Sequence, residues 1–435
     1  MELIPLSDFI EYQNEFITIN DSQEYTRVTT KLHRKGVVLR DVAKGLEIKT
    51  KRQQICGANQ LLVAEIDAKV GGYGIVPKEL EGAIVSSHYF LFNINANEFL
   101  PEYLAYVLKT DAFFSQIKAQ GSTNYAAIRP KDILKIKIPY CAIDLQRNLV
   151  EKLNAIAAKN RGLNENILWE KESISKLRQA ILQEAVSGKL VPQDPKDEPA
   201  SELLKKIKAE KEKLIRERRI KKEQYLPSIS EEEIPYELPK GWSWVRLGDY
   251  YYLQTGATPS TKVAEYWGGN IKWLKSGDVN LEQIYNCKGR ITEEGLSHSN
   301  CKILLTDSVL IALNGQGKTR GTVAMLRTEA ACNQSLVSMR SYDKTLLIPE
   351  YLYYFLKANY MKIRKITGHK QRHGLNMKII GNMHVAIPPY EEQFSIVQKV
   401  ERLMKLCDEL KEKVKENQNN SELLMGAVLK EAFAS

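Results

Sequence analysis

Pro101-Glu102-Tyr103-Leu104-Ala105-Tyr106-Val107-Leu108-Lys109 recurs 248 residues later as Pro349-Glu350-Tyr351-Leu352-Tyr353-Tyr354-Phe355-Leu356-Lys357. The same offset pairs Leu62–Ala64 with Leu310–Ala312. A register that holds across several elements indicates a tandem duplication. Proline suits the first turn of a helix, so both stretches are predicted to open amphipathic helices.

Each copy continues into a long heptad pattern of apolar residues with polar interruptions near its middle, at an offset that pairs Gln146 with Gln393. Because a long exposed apolar seam needs a partner, the two helices are predicted to pair with each other as an antiparallel coiled coil. The predicted seam positions are Leu149, Leu153, Ile156, Leu163, Ile167, Ile174, Leu177, Ile181, Ile396, Val400, Leu403, Leu410, Val414, Leu424 and Val428.

The predicted fold class is α+β, a tandem duplication of a mixed α/β domain followed by a long helix. Between the copies, Val191–Pro199 is rich in turn residues, and a charged helical segment follows. The predicted domains are a first globular domain (1–140), a central helix (141–186), a linker with a charged helix (187–240), a second globular domain (241–390) and a distal helix (391–435).

The chain has 435 residues, of which 27% are charged, a composition that excludes disordered, collagen-like and disulfide-stapled classes. Its six cysteines are scattered and contain no CxxC, which favours free thiols in a reducing compartment. No apolar run is long enough to span a bilayer, and the sequence near Met1 lacks the pattern of an export signal. We therefore expect a cytoplasmic protein with no membrane partner.

The positive charge is unevenly placed along the chain. The net charge is +10 at pH 7, and residues 241–390 hold 19 basic and 10 acidic side chains. In the first copy the basic side chains concentrate in Tyr25–Arg52, which carries nine of them. Basic surface on two compact domains favours a polyanionic partner.

Motifs for catalysis are incomplete. Gly317-Lys318-Thr319 resembles the end of a phosphate-binding loop, but that motif needs a glycine where Ala312 stands. Pro388-Pro389-Tyr390 resembles the motif of amino-methyltransferases, but Ile387 replaces the residue that would bind the target amino group. No His/Cys set has metal-ligand spacing. The chain is therefore predicted to lack an active site, a metal and a cofactor of its own.

The remaining chemistry is recognition by polar and basic loops at corresponding places in the two copies. Such side chains would bind phosphates and read base edges of double-stranded DNA. For any single residue, surface polarity or turn chemistry is an equally good interpretation. The candidate DNA-binding residues are Lys31, Arg34, Lys49, Lys51, Arg52, Lys69, Tyr73, Ser122, Asn124, Tyr125, Arg129, Lys275, Lys318, Arg320, Asn333, Gln334, Lys370, Gln371 and Arg372.

Three further stretches make the sequence resemble the DNA-specificity subunit of type I restriction–modification systems. Leu238–Asp249 resembles the opening of a second target-recognition domain, Ser187–Pro195 the exit from the central spacer helix, and Ile387–Gln393 the entry to the distal one. The resemblance covers essentially the whole chain. One departure is that no Pro-x-Gly-Trp lead precedes Leu6–Phe9.

The resemblance implies a non-catalytic subunit whose two target-recognition domains each read one half of a split DNA site. The spacer helices would bind two modification subunits, methyltransferases that use S-adenosylmethionine. Restriction subunits would add translocation and cleavage with ATP and Mg²⁺. Two other interpretations are a stand-alone bipartite DNA-binding regulator and a coiled-coil scaffold without a nucleic-acid role.

Overall fold

A computed structural model describes residues 1–117, 127–222, 225–315, 317–343, 345–366 and 375–433. The chain divides into two compact units, which do not follow sequence order. Unit 1 comprises Met1–Glu170 and Lys413–Ser435, and unit 2 comprises Lys171–Glu412. Each unit therefore combines one globular domain with parts of both long helices.

Unit 1 contains eleven strands among the residues described. They are β1 (Glu2–Pro5), β2 (Ile10–Gln13), β3 (Ile17–Thr18), β4 (Glu24–Thr30), β5 (Val37–Lys44), β6 (Arg52–Ile55), β7 (Leu61–Ala64), β8 (Tyr73–Ile75), β9 (Ile84–Ser86), β10 (Tyr89–Ile94) and β11 (Lys137–Tyr140). Its helices are α1 (Pro101–Val107), α2 (Asp111–Phe114), α3 (Pro130–Leu134) and the first part of α4 (Ile143–Val186).

Unit 2 has a similar mixture of elements. Its helices are α5 (Ala200–Arg216), α6 (Leu247–Tyr250), α7 (Glu293–Ser297), α8 (Pro349–Ala358), α9 (Tyr360–Ile366), α10 (Met377–Gly381) and the first part of α11 (Tyr390–Ala432). Its strands are β12 (Ser243–Arg246), β13 (Tyr251–Thr255), β14 (Trp267–Leu274), β15 (Gln283–Ile284), β16 (Arg290–Ile291), β17 (Ser308–Ala312), β18 (Val323–Leu326), β19 (Ala331–Cys332), β20 (Leu336–Ser341) and β21 (His384–Ile387).

The two units share their sheet topology. The order β2-β10-β7-β8 in unit 1 corresponds to β13-β20-β17-β18 in unit 2, where β15 extends the sheet. The pair β1-β11 corresponds to β12-β21, and the parallel pair β4-β9 corresponds to β14-β19. The predicted α+β fold with a tandem duplication is confirmed.

The repeated Pro-Glu-Tyr-Leu helices are anchored identically in the two units. Tyr103 Oη donates to the carbonyl of Pro139 at 3.1 Å, and Tyr351 Oη donates to that of Ala386 at 2.8 Å. Both tyrosines are buried, and their hydroxyls still find backbone acceptors, as buried polar groups normally must. This shared contact fixes each helix against the strand that leads into the long helix.

A buried glutamine adds a second repeated anchor. Gln146 accepts from the backbone amide of Leu100 at 2.9 Å, and Gln393 accepts from that of Ile348 at 3.1 Å. Leu100 and Ile348 are the residues that immediately precede α1 and α8. Each glutamine therefore satisfies a backbone donor that would otherwise lie unpaired next to a helix N-terminus.

The long helices pack against each other within each unit. In unit 1, Leu153 and Leu429 share a core cluster and Ser421 donates to Asn160, an antiparallel arrangement. In unit 2, Arg178 forms an ion pair with Asp408. The predicted seam positions that are buried or half-buried are Leu149, Leu153, Ile156, Ile167, Ile174, Ile181, Ile396, Val400, Leu403, Val414 and Val428.

Four predicted seam positions are exposed to solvent instead. Leu163, Leu177, Leu410 and Leu424 are between 45% and 58% exposed. A straight α-helix drifts by about 20° per heptad from a strict 3.5-residue repeat. Residues assigned to the seam by alternating steps of three and four along a whole helix therefore turn away from the partner helix at some positions.

The segment predicted as a linker packs into unit 2. Leu203 and Ile207 of α5 are buried in the same core cluster as Trp242. Arg246 binds both carboxylate oxygens of Glu233 at 2.9 Å and donates to the carbonyl of Pro227 at 2.7 Å. Through these contacts α5 and the segment from Pro227 to Glu233 form part of the second globular domain.

Candidate nucleic-acid interface

In unit 2 a polar cluster forms where two parallel strands end. Trp273 lies opposite Ala331 and Leu274 opposite Cys332, so β14 and β19 finish at the same edge. The amide of Asn333 donates to the carbonyl of Leu274 at 2.9 Å. This bond brings together four residues that we call the β14–β19 cluster: Thr258, Lys275, Asn333 and Gln334.

The geometry of this cluster orients its side chains. Thr258 Oγ1 donates to Gln334 Oε1 at 2.8 Å, which leaves the amide NH₂ of that glutamine as a donor. Asn333 Oδ1 accepts from the amide of Ser335 at 3.1 Å and shapes the turn. The loop that carries Thr258 approaches closely because residue 256 is glycine: an added Cβ would overlap the carbonyl of Cys332.

The glycine-rich loop after β17 adjoins the β14–β19 cluster. The amide of Leu313 donates to the carbonyl of Ser335 at 2.9 Å, and Asn280 Nδ2 donates to Thr319 Oγ1 at 3.4 Å. Tyr360 Oη donates to the carbonyl of Lys318 at 2.6 Å, which fixes the backbone of that lysine while its side chain is exposed. Lys318 therefore adds positive charge beside the cluster.

Lys275 and Arg320 differ in their exposure and in their contacts with the rest of the protein. Lys275 is exposed, and its Nζ lies 5.8 Å from the ring centre of Trp273. Arg320 is half-buried and donates to the carbonyl of Arg364 at 3.4 Å. The structure thus brings Lys275, Asn333 and Gln334 together, and it places Lys318 and Arg320 in the neighbouring loop; Lys275, Lys318 and Gln334 are the exposed members.

Unit 1 carries a different group at the corresponding place. The amide of Glu65 donates to the carbonyl of His88 at 2.8 Å, the counterpart of the Leu313–Ser335 bond. Arg129 Nη1 donates to Glu65 Oε1 at 2.8 Å, and His88 Nδ1 lies 3.0 Å from Glu65 Oε2. We call these three residues the Glu65 cluster. Of these three residues, the sequence analysis predicted only Arg129. The signal that could have indicated Glu65 is its position as an acidic residue directly after the buried strand β7.

A polar cleft of about 360 Å³ lies along the five-stranded sheet of unit 1. Arg27, Arg40, Lys49 and Ser86 are among its lining residues. Arg27 pairs with Asp41 at 2.6 Å, and this hydrogen bond holds the pKa of that carboxyl below its usual value. The charge of Arg27 is therefore paired within the sheet, whereas the side chain of Lys49 is exposed to solvent.

The basic residues of Tyr25–Arg52 have different roles in the structure. Lys31 and Lys49 are exposed. Arg34 Nη1 donates to Asp111 at 2.7 Å and to the carbonyl of Lys109 at 3.0 Å, which docks the β4–β5 hairpin. Lys51 binds the Asp21 carboxylate, and Arg52 lies over the ring of Phe16 at 4.0 Å. Arg34 and Lys51 thus hold local structure, and Arg52 packs on an aromatic ring.

Lys69 and Tyr73 belong to the packing of unit 1. Lys69 is half-buried in a short 3₁₀ helix. Tyr73 is 2% exposed and packs edge-on against Phe113, and burial raises the pKa of its hydroxyl. Glycine is required between them for the backbone to pack closely. Gly71 has a φ of 83°, and a Cβ there would lie 2.6 Å from the amide nitrogen of Arg34. The structure therefore places Tyr73 in the core, away from any surface contact.

Six predicted residues lie outside the described ranges: Ser122, Asn124, Tyr125, Lys370, Gln371 and Arg372. Among the residues that are described, no group of three or more His, Cys, Asp or Glu could hold a metal ion. Within the same ranges, no helix has the length and apolar character needed to cross a bilayer.

Comparison with protein families gives a match over residues 239–418, to the type I restriction modification DNA specificity domain. The specificity subunit of the type I restriction enzyme EcoAI from Escherichia coli is 30% identical over 294 residues, which cover 62% of this chain and 49% of that protein. The EcoEI subunit from the same species is 27% identical over 304 residues, which cover 64% and 50%. The matched regions thus span about half the length of these relatives.

Solved structures share the fold over nearly the whole chain. A chain from a type I R-M system, solved to describe complex assembly and conformational transition, has a TM-score of 0.72 at 19% identity, and the match covers 99% of this chain and 97% of that one. The HsdS subunit from Thermoanaerobacter tengcongensis has a TM-score of 0.55 at 19% identity, with 99% and 96% covered. The resemblance found in the sequence is thereby confirmed: residues 239–418 match the type I restriction modification DNA specificity domain, and the relatives named above are type I specificity subunits.

Proposed function

We propose that this chain reads a split double-stranded DNA target for a type I restriction–modification complex, one half-site with each globular domain. The observation that carries this proposal is the repeated topology with polar side chains beside the same repeated backbone bond, Glu65 to His88 in unit 1 and Leu313 to Ser335 in unit 2. Unit 2 presents the β14–β19 cluster there, and unit 1 presents the Glu65 cluster at the corresponding backbone bond. Two domains of one architecture with different polar groups suit two different half-site sequences.

The distribution of charge supports binding to DNA. Lys31 and Lys49 in unit 1 and Lys318 in unit 2 are exposed. Lysines of this kind bind phosphates and fix the position of a protein on a duplex without reading sequence. Base edges would then be read by the amide, guanidinium and imidazole groups of the two clusters.

The chain would also assemble with two modification subunits. Both long helices carry apolar side chains that solvent reaches, and exposed apolar surface of this kind marks interaction sites. On α4 and α11 they include Leu163, Leu168, Trp169, Leu177, Leu406, Leu410, Leu423 and Leu424. The modification subunits would supply S-adenosylmethionine and methylate adenines, and restriction subunits would supply ATP- and Mg²⁺-dependent cleavage. This chain would work in the cytoplasm and catalyse no step itself.

The test is methylome sequencing of cells that express the chain together with a type I modification subunit. We expect adenine methylation within one split motif, two short specified sequences separated by an unspecified gap. Cells that express the modification subunit alone serve as the control and should lack that motif. A complex that forms but leaves no split motif methylated would contradict the proposal.

A further inference from the structure

We propose that His88 and Arg129 contact base edges in the half-site read by unit 1, and that Glu65 is the positioning residue that holds both. The inference rests on the proposed function and deepens it by naming specificity-determining residues. The three side chains come from separate places: Glu65 directly follows β7, His88 lies just before β10, and Arg129 immediately precedes α3.

The burial pattern separates the positioning group from the contacting groups. The side chain of Glu65 is 17% exposed, whereas those of His88 and Arg129 are 73% and 61% exposed. Both oxygens of Glu65 are occupied, Oε1 by Arg129 at 2.8 Å and Oε2 by His88 at 3.0 Å. The carboxylate thus has no oxygen left without a partner from the protein, while each partner presents its far side to solvent.

The hydrogen-bond chemistry determines what this group can read. An ionised carboxylate only accepts hydrogen bonds, so His88 Nδ1 donates to Glu65, and an imidazole that carries its single proton on Nδ1 keeps Nε2 as an acceptor. Arg129 keeps further N–H donors beside it. Arginine donors match the O6 and N7 acceptors of guanine, and an imidazole acceptor matches the exocyclic amine of adenine or cytosine. The group therefore presents an adjacent donor and acceptor.

Unit 2 has no such group at the equivalent positions. The residues there are Leu313, Ser335 and Asn376, and Asn376 Oδ1 accepts from the amide of Ile379 at 2.9 Å, which caps α10. Arg129 precedes α3 in the same way, but its guanidinium is directed to Glu65. Changes in the Glu65 cluster should therefore affect one half-site only.

The experiment compares the wild-type complex with Glu65→Gln, Arg129→Lys and His88→Ala by methylome sequencing. Glu65→Gln replaces one acceptor oxygen with a donor NH₂, and Arg129→Lys keeps the charge but loses the forked donor geometry. Discrimination at one or two base positions of one half-site should fall about 5- to 150-fold, the range for loss of a good base contact. The other half-site should stay unchanged, which also shows that the complex folds and assembles.

Lys131→Ala is the matched control, because Lys131 is an exposed basic residue on α3. It should leave both half-sites as in the wild type. If the three variants retain wild-type discrimination, or lose methylation equally at all sequences as expected for a phosphate contact, the inference is wrong. If Glu65→Gln fails to assemble, Arg129→Lys decides. A wild-type complex without a split motif would instead contradict the proposed function.

Discussion

Trp242 Nε1 donates a hydrogen bond to Glu392 Oε2 at 2.8 Å, and both residues are buried. Gln193 Nε2 donates to the other oxygen of Glu392 at 3.1 Å. These residues come from the three stretches that carry the family resemblance, so the motifs recognised in the sequence meet at one carboxyl group. Burial raises the pKa of Glu392, although both hydrogen bonds favour its charged form. At the equivalent position of unit 1 stands Leu145, which is exposed.

This carboxyl should make the stability of unit 2 depend on pH. Because its pKa is higher in the folded than in the unfolded protein, its contribution is fully present below the usual value for glutamic acid and is lost as pH rises through the folded pKa. Glu392→Gln removes the titrating group and keeps an acceptor for Trp242. We expect the free energy of unfolding to fall less steeply with rising pH in this variant, measured by chemical denaturation at a series of pH values.

Glu391→Gln is the control for this prediction, because Glu391 is exposed one residue earlier on α11. Its stability should follow the wild-type pH dependence. Parallel curves for the wild type and Glu392→Gln would show that Glu392 does not titrate differently in the folded protein.

Most of the fold could be predicted from the sequence because repetition and periodicity are global signals. The repeated Pro-Glu-Tyr-Leu stretches became α1 and α8, and both long helices formed as the heptads indicated. The exposed positions Leu163 and Leu424 show the limit of this reasoning. A heptad assignment fixes the residues that can face a partner, but the helix twist decides which of them do.

The candidate site was harder to predict because it depends on strands that are distant in sequence. Glu65, His88 and Arg129 meet only through the β7–β10 pairing and the loop before α3. Tyr73 shows the opposite error. It stands in a glycine-rich, polar stretch that resembles a surface loop, but the glycines allow the β4–β5 hairpin to pack closely and Tyr73 begins a buried strand.

The repeated glutamine anchor predicts a stability loss in either unit. Gln146→Leu would leave the amide of Leu100 and the carbonyls of Glu98 and Cys141 without their partner. Unpaired buried groups cost about 1–3 kcal/mol, so the α1 region should open more readily. Hydrogen exchange of peptides that cover α1 would measure this, and Gln393→Leu should act likewise on α8.

The matched control is Arg147→Ala, one residue further along α4 and exposed. It should change the opening free energy by at most about 0.5 kcal/mol. Unchanged protection of α1 in Gln146→Leu would show that the anchor contributes nothing to the helix.

The polar contact between the long helices of unit 1 should couple them energetically. Ser421 is 7% exposed and donates to Asn160 across the interface between the two helices. A double-mutant cycle with Asn160→Ala and Ser421→Ala should give a coupling of about 0.5–1.5 kcal/mol in the free energy of unfolding. The cycle of Lys159→Ala with Ser421→Ala should give a value near zero, because Lys159 is exposed. Equal couplings in both cycles would rule out a specific contact.

The β14–β19 cluster should read the half-site of unit 2. Gln334→Ala removes the amide that Thr258 orients, so about 1–3 kcal/mol of discrimination should be lost at one base of that half-site. Methylome sequencing of the assembled complex measures this loss. Asn270→Ala removes an exposed amide from the middle of β14, away from the cluster, and should leave discrimination at both half-sites unchanged. Relaxation at the other half-site would contradict this assignment.

Lys318 should contribute affinity rather than specificity. Its side chain is exposed beside the β14–β19 cluster, and its backbone is fixed by Tyr360. A lysine that neutralises one phosphate releases about one counterion, so Lys318→Ala should lower the slope of log affinity against log salt concentration by about 1. Titration of target and non-target DNA with the assembled complex at several salt concentrations would measure it. Both DNAs should weaken equally, whereas Lys302→Ala, at another exposed lysine of unit 2, should keep the wild-type slope. A loss confined to target DNA would make Lys318 a base contact instead.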